Sequence, residues 1–141
     1  MAFMLETALR EDALTVSPGG FEVRVSLPWI RSMPLSSIAG LRLEVDGHPL
    51  PAGGPMVMLG SRLVPPHALE AERGWWFVQD RLVLAGPGGL SAGTHDVMVE
   101  FQLMVPYLQA RPGAPLVLPF HLEARLELDA APVQTVSRDV A

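Results

Sequence analysis

The stretch LRLEVDG (Leu41 to Gly47) determines the fold class of this chain. Its apolar residues, Leu41, Leu43 and Val45, alternate with charged residues, and alternation with a period of two is typical of a strand with one buried face. An Asp-Gly pair follows at once, and this pair tolerates the positive φ angles that a tight hairpin turn needs. The stretch therefore predicts a strand, a two-residue turn and a returning antiparallel strand.

The same alternation recurs in three other stretches: FEVRVSL (21–27), DVMVEFQL (96–103) and LEARLEL (122–128). Two more segments, PMVMLGSRLV (55–64) and GWWFVQDRLVLAG (74–86), are apolar on both faces, which indicates strands covered on both sides. Proline and glycine cluster between the strands at 17–20, 49–55, 86–93 and 111–115, a spacing too short for crossover helices. These patterns predict an all-β protein, a two-sheet antiparallel β-sandwich, with a jelly-roll or an immunoglobulin-like topology.

The length of 141 residues corresponds to one domain with a substantial core. We expect residues 1–141 to form a single sandwich domain, in which residues 130–141 are a tail that a partner orders. The segment Leu5 to Leu14 is compatible with either a short helix or an edge strand.

Composition excludes several classes of function. The chain has no cysteine, so it has neither disulfides nor thiolate metal sites. All ten basic residues are arginines dispersed along a chain of net charge −5, which argues against a nucleic-acid partner. No apolar run reaches the roughly 20 residues of a membrane-spanning helix, and the N-terminus lacks the pattern of a signal peptide. We therefore expect a cytoplasmic protein without a membrane partner.

The sequence contains no recognisable catalytic or metal-binding motif. None of the four histidines lies within four residues of another. His95 with Asp96 is the most ligand-like pair, but polar residues that open a strand favour a structural role, with a metal site as the alternative. There is no G-x-S-x-G motif, and most carboxylates fall on the polar phase of strands, which indicates a solvated sheet face. We predict neither catalytic residues nor metal ligands.

The unusual feature is the proline-bounded stretch SLPWIRSMPLSSI (26–38), which carries large apolar side chains where a loop is expected. Only 18% of the residues are charged, against about 25% in a typical domain. Loops run over the outside of domains, and aromatic residues, methionine and arginine are enriched at interfaces. The stretch therefore predicts a partner-binding surface, whose candidate residues are Trp29, Arg31, Met33, Pro34, Leu35 and Tyr107.

A second hypothesis interprets the aromatic residues differently. Trp29, Trp75 and Trp76 could serve as sugar-stacking platforms of a free-standing carbohydrate-binding or adhesion-type module. For Trp75 and Trp76, packing in the core is the other alternative, since large aromatic side chains dominate cores.

The order RSMPLSSI (31–38), LRLEVDGHPLP (41–51) and GGLSAGTHDVMVEF (88–101) resembles the small β subunit of bacterial C-glycoside deglycosidases, over about residues 14–128. The resemblance implies a sandwich bound to a larger TIM-barrel α subunit that holds a divalent metal, usually manganese. It also implies a carbon–carbon lyase complex that acts on 3-oxo-C-glycosides, in which this chain is an accessory, non-catalytic subunit without a cofactor of its own. In such a complex Arg31 either pairs with a carboxylate of the α subunit or faces its active-site mouth.

Overall fold

The computed structural model describes residues 8–50, 55–130 and 138–139, with the backbone alone for Pro106 and for residues 138–139. The described residues form twelve strands and two short 3-10 helices, Leu35–Ser37 and Pro66–Ala71. The strands are β1 (Leu14–Ser17), β2 (Gly20–Ser26), β3 (Met33–Pro34), β4 (Ile38–Val45), β5 (His48–Pro49), β6 (Met56–Leu59), β7 (Arg62–Val64), β8 (Trp75–Trp76), β9 (Asp80–Pro87), β10 (Thr94–Arg111), β11 (Ala114–Glu127) and β12 (Arg138–Asp139).

Two sheets enclose the core. The first has the antiparallel order β1-β2-β9-β6-β7, and β12 adds to β9 in parallel. The second has the antiparallel order β11-β10-β4-β5, and the short strands β3 and β8 form a separate ladder. The predicted all-β antiparallel architecture is confirmed.

The alternation in the sequence corresponds to the two faces of the strands. In β4, Leu41, Leu43 and Val45 are buried in the core, while Arg42 is exposed on the opposite face. The apolar phases of β2 and β10 are buried in the same hydrophobic cluster, which contains residues of both sheets. Full burial of each Val or Leu side chain contributes about 1.5–3 kcal/mol, so these strands supply most of the driving force for folding.

The Asp-Gly hairpin is confirmed. Asp46 has φ 55° and Gly47 has φ 77°, and Val45 pairs with His48 across the two-residue turn. Positive φ at both positions defines the turn whose twist matches that of the flanking strands.

The double coverage predicted for residues 74–86 holds in β9 and fails in the residues before β9. Leu82, Val83 and Leu84 of β9 are all buried, as expected. By contrast, the side chains of Trp75, Phe77 and Val78 are 43–46% exposed. The expectation was wrong there because β8 pairs over two residues only, and the chain then turns, with the Asp80 N–H donating to the Phe77 carbonyl at 2.9 Å.

The proline-bounded loop is largely part of the core, contrary to expectation. Trp29, Met33 and Leu35 are buried inside the chain, so they are not available as partner contacts. The cause is the ladder between β3 and β8, which sets Met33 opposite Trp76. The Trp76 ring packs against Phe101 on the inner face of β10, at 5.8 Å between ring centroids. This pairing draws the loop back over the sandwich.

The chain ends are described in part. The edge strand β1 begins only at Leu14, the last residue of the segment Leu5 to Leu14, while Ala8 is helical and Glu11 and Asp12 form a turn; residues 5–7 lie outside the described residues. At the other end, β12 pairs with Asp80 and Arg81 of the chain's own β9. Residues 131–137 and 140–141 of the expected tail lie outside the described residues, and its ordering by a partner stays a prediction. No helix in the described part of the chain is long and apolar enough to span a bilayer.

We expect Met33→Ala to lower the free energy of unfolding of the isolated chain by about 2–5 kcal/mol, because it leaves a cavity beside Trp76. Ile30→Ala is the matched control: Ile30 lies in the same loop and is 63% exposed, so its removal should change the free energy by less than about 0.5 kcal/mol. Denaturant unfolding measures both. Equal effects of the two substitutions would show that Met33 is not a core residue.

Candidate partner-binding surface

Large apolar side chains are exposed on three segments, of which the first contacts each of the other two. These segments are the loop before β3, β8 with the turn after it, and the C-terminal part of β10. Their exposed residues, here called the loop–hairpin surface, are Ile30, Arg31, Trp75, Phe77, Val78 and Tyr107. A cluster of exposed apolar side chains of this kind marks an interaction site more often than a solvent-facing surface.

Specific contacts hold the three segments together. The indole N–H of Trp29 donates a hydrogen bond to the Tyr107 hydroxyl at 2.7 Å, which links the loop to β10. The backbone N–H of Val78 donates to the Ser32 hydroxyl at 2.8 Å, which links the loop to the turn after β8. The Arg31 guanidinium lies 5.2 Å from the centroid of the Tyr107 ring, within the range of a cation–π contact.

Burial of the flanking residues forces this exposure. Trp29 and Met33 are both fixed in the core, so the three residues between them must bridge over the surface. Ile30 and Arg31 are exposed as a result, and Ser32 is half-buried beneath the turn that it holds.

The hairpin of β10 and β11 extends the apolar area. The pairing of β10 with β4 ends at Leu103 and Ile38, and beyond this point no strand of the described residues pairs with β10 on that side. There Met104 pairs with Val117, and both side chains are 44–46% exposed. Leu108 is exposed nearby. Leu108 follows Tyr107 directly, whereas Met104 and Val117 share the outer face of the second sheet with Glu100 and His121.

The predicted interface residues thus divide into two groups. Arg31 and Tyr107 are exposed and touch each other, and Pro34 is half-buried. Trp29, Met33 and Leu35 are buried, and of these Trp29 positions Tyr107 through its hydrogen bond.

Two of the three tryptophans proposed for sugar stacking are buried. Trp76 is 0% exposed and its indole N–H donates to the Asp80 carbonyl at 3.1 Å. Trp29 is buried as well. Trp75 alone among the three tryptophans offers an exposed ring, so the proposed aromatic pair does not exist as a binding platform.

The outer face of the second sheet is charged instead of apolar. It forms a shallow groove of about 610 Å³ lined by residues of β4, β10 and β11. Arg42 pairs there with Glu44 and Glu100, and Arg125 pairs with Asp96. His121 lies between Glu123, at 2.9 Å, and Glu100, at 3.2 Å, and hydrogen bonds to these carboxylates raise its pKa. Each cationic side chain there has at least one carboxylate partner, as expected of a solvated sheet face.

His95 is a structural residue. It is buried, and its Nδ1 and Nε2 lie 2.6 Å from an Asp46 carboxylate oxygen and 2.7 Å from the Ser91 carbonyl oxygen. Both oxygens are acceptors, so the ring satisfies both as an imidazolium that donates twice. Its pKa is raised by the hydrogen bond to Asp46 and then by that to Ser91, and the pKa of Asp46 is lowered. Both ring nitrogens therefore have hydrogen-bond partners within the chain.

The described residues contain no cluster of three histidine, aspartate or glutamate side chains suited to a metal ion. The fold and surface together define a β-sandwich whose exposed apolar side chains are suited to protein contact, with the charged face elsewhere.

Comparison with known proteins gives the family. The sequence profile of the C-glycoside deglycosidase beta subunit family matches residues 4–107. The C-glycoside deglycosidase beta subunit of Arthrobacter globiformis is 34% identical over 103 residues, 71% of this chain and 79% of that protein. The 3'-dehydrocarminate deglycosidase beta subunit of a Microbacterium species is 33% identical over 113 residues, 79% of this chain and 85% of that protein. The chain belongs to the C-glycoside deglycosidase beta subunit family.

Some residues of this surface are not predicted from the sequence. They are Ile30, Phe77 and Val78, and the exposed Leu108 follows Tyr107. The run of four apolar residues from Trp75 to Val78 is the available signal. Because such a run also fits a strand buried on both faces, the pattern alone does not distinguish the two.

We expect His95 to make stability depend on pH. Its folded pKa is raised above the ordinary 6.5, so the protonated ring stabilises the fold fully below about pH 6.5, and this contribution is lost as the pH rises through the raised pKa. The free energy of unfolding of wild type minus that of His95→Gln should therefore fall as the pH rises above about 6.5. His67→Gln, at an exposed histidine, is the control. A difference for His95→Gln that is constant with pH would contradict the imidazolium assignment.

Proposed function

We propose that this chain is the accessory β subunit of a metal-dependent C-glycoside deglycosidase complex that cleaves the carbon–carbon glycosidic bond of 3-oxo-C-glycosides. The active site and a divalent metal, manganese, lie on a TIM-barrel α subunit in this proposal. The observation that carries it is membership of a beta subunit family. A beta subunit implies a partner, and the loop–hairpin surface is an exposed area to which such a partner could bind.

The chemistry of this substrate class supports a division of labour. A ketone at C3 of the sugar acidifies the proton at C2, and a base removes that proton. The bond from C1 to a phenolic aglycone then breaks by elimination: a C1–C2 double bond forms in the sugar, and the aglycone carbon keeps the bonding electron pair and takes up a proton. A divalent metal would supply Lewis-acid stabilisation of the negative charge that develops on the ketone oxygen. In the described residues of this chain, the histidines with raised pKa are already hydrogen-bonded to their own carboxylates, Asp46 for His95 and Glu123 and Glu100 for His121. The base is accordingly assigned to the α subunit.

The names of the relatives support the substrate class. One Microbacterium relative is named as the beta subunit of a 3'-dehydrocarminate deglycosidase, and others as beta subunits of C-glycoside deglycosidases. A sugar oxidised at the 3' position is the substrate that the elimination requires. We further propose a cytoplasmic location, which a chain without cysteine fits.

We expect the chain to co-elute with the TIM-barrel protein encoded beside it when the two are expressed together. The pair should cleave a 3-oxo-C-glycoside in the presence of manganese, and the purified chain alone should not. Size-exclusion chromatography and chromatographic detection of the released aglycone measure these outcomes. Separate elution of the two chains, or cleavage by this chain alone, would contradict the proposed function.

A further inference from the structure

We propose that Arg31 is a pre-positioned binding residue that pairs with a carboxylate of the α subunit, within an otherwise apolar contact made by the loop–hairpin surface. This inference rests on the proposed function, because it takes the α subunit as the partner. In this proposal the loop–hairpin surface contacts the α subunit, and Arg31 is the charged residue of that contact.

Arg31 rests on the Tyr107 ring, and the buried side chain of Trp29 fixes the position of that ring. Trp29 is 6% exposed, and its indole N–H can only donate, so the Tyr107 hydroxyl accepts this hydrogen bond. The hydrogen bond holds the Tyr107 ring in place, although that ring is 44% exposed. Arg31 then lies over a ring whose position is set by the core, with its guanidinium 5.2 Å from the ring centroid.

This support orders the guanidinium without using its hydrogen-bond donors. A cation–π contact engages the face of the guanidinium, while its N–H groups point outward along the edges. Those N–H groups match the two oxygens of a carboxylate in a bidentate pair. Because part of the side-chain entropy is already lost in the free chain, less is lost when a partner binds.

Five other arginines of the chain are neutralised by its own carboxylates. Arg24, Arg42, Arg62, Arg81 and Arg125 each form an ion pair with a carboxylate of the chain itself. Among the described residues, no carboxylate forms an ion pair with Arg31, Arg73 or Arg111, and of these three Arg31 is the one that lies over an aromatic ring. The other residues of the loop–hairpin surface are uncharged.

A partner that covers these apolar side chains also removes Arg31 from water. A buried arginine without a counter-charge is strongly unfavourable, whereas one paired with a carboxylate in a well-formed geometry is tolerated. The α subunit must therefore present a carboxylate opposite Arg31, surrounded by apolar residues. Aromatic residues and arginine are also the side chains that carry most of the binding free energy at protein interfaces.

The test is the dissociation constant of the complex between the purified α subunit and variants of this chain. Arg31→Ala should raise Kd about 30-fold or more, and Arg31→Lys should raise it by about 10-fold, since lysine keeps the charge but loses the planar fork. Arg125→Ala is the matched control: it removes an exposed arginine of the charged groove, and should leave Kd within about twofold. Thermal unfolding of each variant confirms that the fold is kept.

The possible results separate this proposal from the function. If the wild-type chain binds the α subunit and Arg31→Ala binds with an unchanged Kd, the role of Arg31 is wrong while the proposed function stands. An unchanged Kd together with a raised KM would assign Arg31 to the active-site mouth of the partner, and would also overturn the proposal. If the wild-type chain does not bind the α subunit at all, the proposed function fails first, and this inference fails with it.

Discussion

Burial of Trp29 and Met33 in the chain's own core is the constraint on which the candidate surface depends. These residues fix the loop before β3 at both ends, so Ile30 and Arg31 between them cannot withdraw from the surface. The pairing of Met33 with Trp76 brings the turn after β8 beside the loop. The hydrogen bond from Trp29 brings Tyr107 beside it from β10. One set of core contacts thus assembles three distant segments into one exposed surface.

The two candidate binding faces of the molecule differ in how their charges are satisfied. On the outer face of the second sheet, Arg42, Arg125 and His121 each pair with one or two carboxylates of the chain itself. Such a face is stable in water and requires no partner. The loop–hairpin surface has large apolar side chains and an arginine stacked on tyrosine. Only 18% of the residues are charged, as expected of a chain whose surface is partly covered by another protein.

The strands could be predicted from the sequence because the pattern that specifies them is local. Alternation in β2, β4, β10 and β11 and the Asp-Gly turn each depend on adjacent residues only, and the structure agrees with all of them. The fate of the loop could not be predicted in this way. Its apolar residues have the composition of an interface and of a core alike, and the ladder that buries Met33 is made with Trp76, far along the chain.

Because sequence patterns are local, only part of the site could be predicted. Residue type indicates Arg31 and Tyr107 as interface residues, and the structure brings them into contact. That contact occurs where the pairing of β10 with β11 shifts in register, between Val105 and Gln109, and no sequence pattern indicates the irregularity. Likewise His95 is identified as structural only once Asp46 of the hairpin turn is seen beside it.

Hydrogen–deuterium exchange of this chain, alone and in complex with the α subunit, tests most directly which face binds the partner. Protection on complex formation should be concentrated in residues 28–33, 75–79 and 104–117, and residues 42–44 and 121–125 of the charged groove should exchange as in the free chain. Protection confined to the groove, with the loop and hairpin unchanged, would contradict the assignment of the loop–hairpin surface as the site of contact.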